Sequence, residues 1–143
     1  MQQDVFDAIW KLRRESSSAY LSYVFQDGYP VTRAMLILEH GQIQTQYLST
    51  NTSSGKIASL LKNPKASLYY CDPAGFQGAL FVGEIEVCTD AATREFLWRE
   101  GFEKYYPKGV TDPDYCVLKL TVKHGSHYHG LRNTHFAPDE LEA

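Results

Sequence analysis

The sequence predicts a mainly β fold, an antiparallel barrel with helices packed outside, and three observations carry that prediction. The strand-like runs are separated by short turn-forming stretches, Asp27-Gly28-Tyr29-Pro30, His40-Gly41 and Asp72-Pro73-Ala74-Gly75, which reverse the chain. The elements follow the order helix, three strands, short helix, two strands, helix, strand, without the regular strand-helix alternation that builds a parallel sheet. Ten Tyr, seven Phe and two Trp make the chain 13% aromatic, a surplus suited to a β-rich core or a ring-lined pocket.

Each element has its own signature. Val5, Ala8, Ile9 and Leu12 recur at helical spacing between Asp4 and Arg14, with Asp4 as the N-cap. Ala19–Phe25 and Val31–Leu38 are rich in strand formers and make a hairpin. Gln42–Ser49 alternates polar and apolar residues, as a strand with one wet face does. Thr50-Asn51-Thr52-Ser53-Ser54-Gly55 offers several caps for a short helix over Lys56–Lys62, which carries Ile57, Leu60 and Leu61 on one stripe and stops at Asn63-Pro64. Lys65–Cys71 and Ala79–Cys88 are the fourth and fifth strands. Thr89-Asp90 caps a longer helix from Ala91 to Tyr105, with Phe96, Leu97 and Phe102 inward, and Pro107-Lys108-Gly109 ends it. Tyr115–Val122 is the sixth strand, and the acidic tail from Asp139 is expected to be loose.

At 143 residues the chain has the size of one domain, residues 1–143, long enough to bury about two-thirds of its surface around one core. Fourteen Lys+Arg against 17 Asp+Glu leave a net charge of −3, which argues against a sequence-independent grip on nucleic acid. No run approaches the roughly 18 apolar residues of a membrane span, and Met1-Gln2-Gln3-Asp4 lacks the basic start of a secretion signal. Cys71, Cys88 and Cys116 are odd in number and flanked by apolar or aromatic residues, so they read as core hydrophobes in a reducing cytoplasm.

The stretch richest in chemistry is Leu48-Ser49-Thr50-Asn51-Thr52-Ser53-Ser54-Gly55-Lys56. It places hydroxyls, a glycine and a lysine between a strand end and a helix start, where outward N–H groups and the helix dipole favour an anion. A solvated helix cap is the plainer alternative, and Arg33 on its strand could equally be a surface charge. Other constellations are weaker. In His124-Gly125-Ser126-His127-Tyr128-His129, His127 and His129 share a strand face, but a metal site needs further ligands, and no metal is expected. No Gly-x-Ser-x-Gly elbow occurs.

Several blocks in order carry a resemblance. Arg33-Ala34-Met35, Leu48-Ser49-Thr50 with Ser54-Gly55-Lys56, Asn63-Pro64-Lys65-Ala66-Ser67-Leu68-Tyr69-Tyr70 and Phe81-Val82-Gly83-Glu84-Ile85 resemble the pyridoxamine 5'-phosphate oxidase-like, FMN-binding split-barrel family. Leu97-Trp98, Tyr105-Tyr106-Pro107-Lys108-Gly109 and Asp112-Pro113-Asp114-Tyr115 are similar to its general stress protein 26-like branch, and the likeness spans residues 4–130. It implies a six-stranded antiparallel split β-barrel of Greek-key type that forms a homodimer, with FMN at the subunit interface. Arg33 and Lys56 would hold the phosphate with Ser49, Thr50, Ser54 and neighbouring N–H groups; Gly55 stands where family members carry a basic residue. Ala34 and Met35 would run beside the isoalloxazine, Gln77 and Gly78 would approach it, and Tyr128 takes the place of an aromatic that reaches the partner's flavin, with His129 nearby. Gly130-Leu131-Arg132-Asn133-Thr134-His135 does not reproduce the arginine-histidine spacing that engages substrate in the true oxidase. The reading is therefore a flavin-dependent oxidoreductase acting on another small molecule, with no acid or base assigned. The alternatives are a non-catalytic carrier or sensor for flavin, haem or deazaflavin, and a protein that keeps only the dimer scaffold.

Overall fold

The computed structural model describes residues 1–38 and 40–142. Helix α1 (Gln3–Glu15) buries Val5, Ile9 and Leu12 on one stripe, and Arg13 and Arg14 sit in its last turn, where the helix dipole favours cations. Asp4 lies inside the first turn instead of at the cap, which is Gln2. Strands β1 (Ser18–Val24) and β2 (Pro30–Leu36) form the expected hairpin. Its turn is closed by the Gly28 N–H donating to the Phe25 carbonyl at 2.8 Å, and Gly28 supplies the φ of 91°. Then come β3 (Thr45–Asn51), α2 (Gly55–Lys62), β4 (Lys65–Asp72), β5 (Gln77–Cys88), α3 (Ala91–Leu97), β6 (Tyr115–His129) and β7 (Arg132–Phe136).

All pairings are antiparallel and run β2-β1-β4-β5-β6-β3, with β7 on the free part of β6. The path ends, β2 and β3, lie against each other, so the sheet curls around a core of Leu21, Leu48, Leu68, Phe81, Leu118 and Leu120. Helix α1 packs on β4 and β5, and α2 on β1 and β5. This is the expected split barrel with a seventh strand added. At a bulge between Val82 and Gly83 the strands approach so closely that a Cβ on Gly83 would stand 1.9 Å from the Thr121 carbonyl oxygen.

Further expectations change. Helix α3 ends at Leu97, because Trp98 turns to extended backbone and Gly101 adopts φ 96° before two short 3₁₀ turns, Phe102–Lys104 and Gly109–Thr111. Those bends gather Trp98, Phe102, Tyr106 and Tyr115 into a second core, with ring centroids 5.2 Å apart for Trp98–Tyr115, and leave Phe96 exposed. Strand β3 begins at Thr45 instead of Gln42. β6 runs past Val122 to His129, where Gly130 (φ 62°) reverses the chain into β7. The tail expected to be loose forms a 3₁₀ turn over Pro138–Leu141 that buries Leu141 completely, because an apolar side chain outweighs its acidic neighbours.

Candidate functional site

Strand register fixes which site residues share a face. Arg33 stands opposite Leu21, which is fully buried, so it belongs to the core-facing side of β2 with Met35. Its guanidinium remains exposed and, among the described residues, donates only to the neighbouring Thr32 carbonyl at 3.3 Å. Lys56 lies half-buried in the first turn of α2; burial first, and the like charge of Arg33 second, hold its ammonium below the ordinary lysine value. Among the described residues no carboxylate is within ion-pair distance of either cation. Arg33 on its strand and Lys56 at a helix start are near enough for one charge to act on the other, with no ion-paired carboxylate on either among the described residues.

The hydroxyls divide. Thr50 is buried on the core-facing side of β3 with Leu48, whereas Ser49 projects from the opposite face, opposite Val117 in the second core. Ser54 Oγ caps α2 by accepting the Lys56 N–H at 3.2 Å. The backbone donors expected for an anion are largely used. The Thr52 N–H donates to the Asp114 carbonyl at 2.6 Å, Ser53 N–H to Asp114 Oδ1 at 2.8 Å, and the Ser54 N–H to the Asn51 carbonyl at 3.0 Å. The Gly55 N–H is the donor of this stretch left without a partner among the described residues. A side chain would fit at Gly55, since an added Cβ would meet only Phe25 Cε1, at 3.8 Å.

The other face of the sheet is aromatic. Tyr20 pairs with Ala34 on one side and Tyr69 on the other, and Tyr128 pairs with Gly78. The Tyr69 and Tyr128 rings stack at 6.4 Å and 15°, their hydroxyls are 2.5 Å apart, and Phe76 sets its edge against Tyr128 at 5.9 Å. Burial, then the bond to Tyr128, pushes the Tyr69 phenol far up, so it stays neutral. Tyr69 covers Gly78, where a Cβ would fall 2.2 Å from its oxygen. Tyr69 is not among the site residues that the sequence indicates; the alternation of Lys65–Cys71, with Leu68 and Tyr70 buried, is the signal that points it outward.

Not all predicted ring contacts share this face. Met35 is buried in the core, back to back with Ala34. Gln77 turns its amide oxygen to His127 at 3.1 Å, and His127 is buried, its pKa pulled down by burial and then by His129 and Arg132. His124 and His129 are exposed. Beside Gln77, a cleft of about 740 Å³ opens between α1 and the strand rims, lined in part by Asp7, Lys11, Glu15, Tyr20 and Cys71.

The donor set fits a phosphorylated, flat-ringed group such as FMN: paired cations and a free N–H at the core-facing end, a phenolic wall on the outer face. Residues 4–136 match the family model described as pyridoxamine 5'-phosphate oxidase like. A Clostridium acetobutylicum protein, related to general stress protein 26 of Bacillus subtilis, is 37% identical with a TM-score of 0.90, over 99% of this chain and 100% of that one. A Nostoc punctiforme pyridoxamine 5'-phosphate oxidase-related, FMN-binding protein shares the fold at 15% identity and TM-score 0.64, over 93% of this chain and 88% of that one. A haem-binding protein of Mycobacterium smegmatis shares it at 16% identity and TM-score 0.77, over 99% of this chain and 61% of that one. No curated protein matches significantly.

Proposed function

The chain belongs to the pyridoxamine 5'-phosphate oxidase-like family, and from that premise we propose that it binds FMN non-covalently and uses it to oxidise or reduce a small molecule in the cytoplasm. The observation that supports this reading is the pair of Arg33 on β2 and Lys56 at the start of α2, neither ion-paired to a carboxylate among the described residues. Two cations so placed repel each other in the free chain, and a dianion between them removes the repulsion and raises the Lys56 pKa back toward the ordinary lysine value.

Bound FMN supplies electron or hydride transfer at its ring. The chain's own residues position and shield it. Arg33 and Lys56 hold the phosphate, with the Gly55 N–H and the Thr50 hydroxyl beside them. Ser54 contributes by capping α2, which fixes the direction of the Lys56 stem. Ala34, Tyr20, Tyr69 and Tyr128 offer a flat wall that excludes water from one side of a ring. No residue is required as an acid or base. The reading includes a homodimer, since Tyr20, Leu36 and Phe76 are exposed on the protomer, with Leu36 62% and Phe76 65% accessible. The altered spacing after Gly130 argues against pyridoxamine phosphate as substrate.

Absorption of the purified protein tests the proposal. Flavin bands, with free FMN released on denaturation, are the expected result; a colourless protein that takes up no added FMN contradicts it. Stopped-flow reduction by NAD(P)H then separates an oxidoreductase from a carrier.

A further inference from the structure

The segment before α2 is held from outside by three consecutive residues that none of the anion contacts includes. Asp114 takes the Thr52 N–H on its carbonyl at 2.6 Å and the Ser53 N–H on Oδ1 at 2.8 Å. Pro113 takes the Thr52 hydroxyl on its carbonyl at 3.1 Å, and Tyr115 pairs with Asn51 in the β3–β6 ladder. The holding turn is itself fastened. Asp112 is buried, accepts the Asp114 N–H on Oδ1 at 3.0 Å and the Lys108 N–H on Oδ2 at 3.1 Å, and receives the Arg94 guanidinium on its carbonyl.

We propose that Asp114 is a positioning residue of the anion site, whose carboxylate fixes Ser53, next to the Ser54 cap, so that the cap aims the Gly55 N–H and the Lys56 ammonium at a phosphate. The proposal rests on the reading of Arg33 and Lys56 as a phosphate site. It follows from the distribution of donors. A free segment of this composition would spread its N–H groups around any anion. Here the Asp114 carbonyl occupies one of them, its carboxylate a second, and the Asn51 carbonyl a third. One backbone donor and two cationic side chains then remain for the ligand, and their placement depends on a segment whose conformation Asp114 sets. Rigidity replaces contact number, which lowers the ordering cost of binding. Asp114 touches no ligand in this account; it acts through Ser53 and the helix cap.

The test measures dissociation constants for FMN, riboflavin and inorganic phosphate with the wild type, Asp114→Ala and Asp114→Asn. Alanine removes the acceptor for the Ser53 N–H, and asparagine retains one while removing the charge. Asp114→Ala is expected to weaken FMN roughly tenfold, the effect of one hydrogen bond, to leave riboflavin unchanged, and to be rescued by Asp114→Asn. Wild-type FMN affinity in Asp114→Ala, or equal weakening of FMN and riboflavin, overturns the positioning role alone. A wild type that binds neither FMN nor phosphate overturns the phosphate-site reading and this proposal with it.

Discussion

Two regions of the barrel use arginine in opposite ways. Beside the first turn of α1, Arg132 donates to Asp4 at 3.1 Å and to Gln2 at 2.6 Å, and nearby Gln77 meets His127 at 3.1 Å. Beside the first turn of α2, Arg33 reaches, among the described residues, only the adjacent carbonyl, and its charge acts on a second cation. The first region has matched its donors and acceptors within the chain, so its polar groups serve to dock a helix. The second has surplus positive charge and, among its described backbone donors, only the Gly55 N–H left over, which is why the proposed site takes its anion from outside. Charge balance within a few residues, more than residue type, separates a structural arginine from a ligand-binding one.

The contrast can be broken most forcefully at the cations. Arg33→Ala and Lys56→Ala are each expected to cost about 1.5–3 kcal/mol of FMN binding, as loss of a charge-assisted contact does, without lowering the melting temperature, because each relieves a repulsion. Equilibrium titration and thermal unfolding check both halves, and unchanged affinity in both variants would sink the site. Gly55→Arg adds a third cation where Phe25 leaves room, and FMN should bind roughly tenfold more tightly. Tyr69→Phe removes one partner of the hydroxyl pair and should cost about 1 kcal/mol of unfolding free energy in denaturant.

The pH responses of the two regions differ in side. His127, with its folded pKa depressed by burial, contributes stability that is present above the unfolded histidine value of about 6.5 and lost as pH falls through the folded value. His127→Gln should flatten that acidic limb in a melting-temperature profile. Near α2 the effect is alkaline: FMN affinity should decline as Lys56 loses its proton below the ordinary lysine value, and Lys56→Arg should remove the decline because a guanidinium keeps its charge. The smallest effect is expected for Arg132→Ala, an exposed pair that should alter neither FMN affinity nor, measurably, the melting temperature.

Local patterns made much of this legible from sequence. Turn residues placed the hairpins, and the cap-rich run ending at Lys56 placed both α2 and the cation that faces Arg33. What local pattern could not supply was long-range pairing. The shortened α3 depends on ring packing between Trp98 and Tyr115, and β7 on a ladder with the second half of β6. The same limit applied in the site. Alternation along β2 and β3 separates Met35 from Ala34 and Ser49 from Thr50, yet only the register against β1 and β6 shows which of each pair faces the core. Asp114 lies in the block Asp112-Pro113-Asp114-Tyr115, but nothing in that block signals its bonds to residues 52 and 53 across the fold.

The central claim is that a phosphate belongs between Arg33 and Lys56. The most direct measurement is the ratio of FMN to riboflavin affinity in the wild-type protein and in the Arg33→Ala/Lys56→Ala double variant, at fixed pH and low salt. The account predicts that the wild type prefers FMN by roughly a hundredfold or more, as two charge-assisted contacts imply, and that the double variant binds the two flavins alike. A wild type that does not distinguish FMN from riboflavin, or a double variant that retains the full preference, would contradict it.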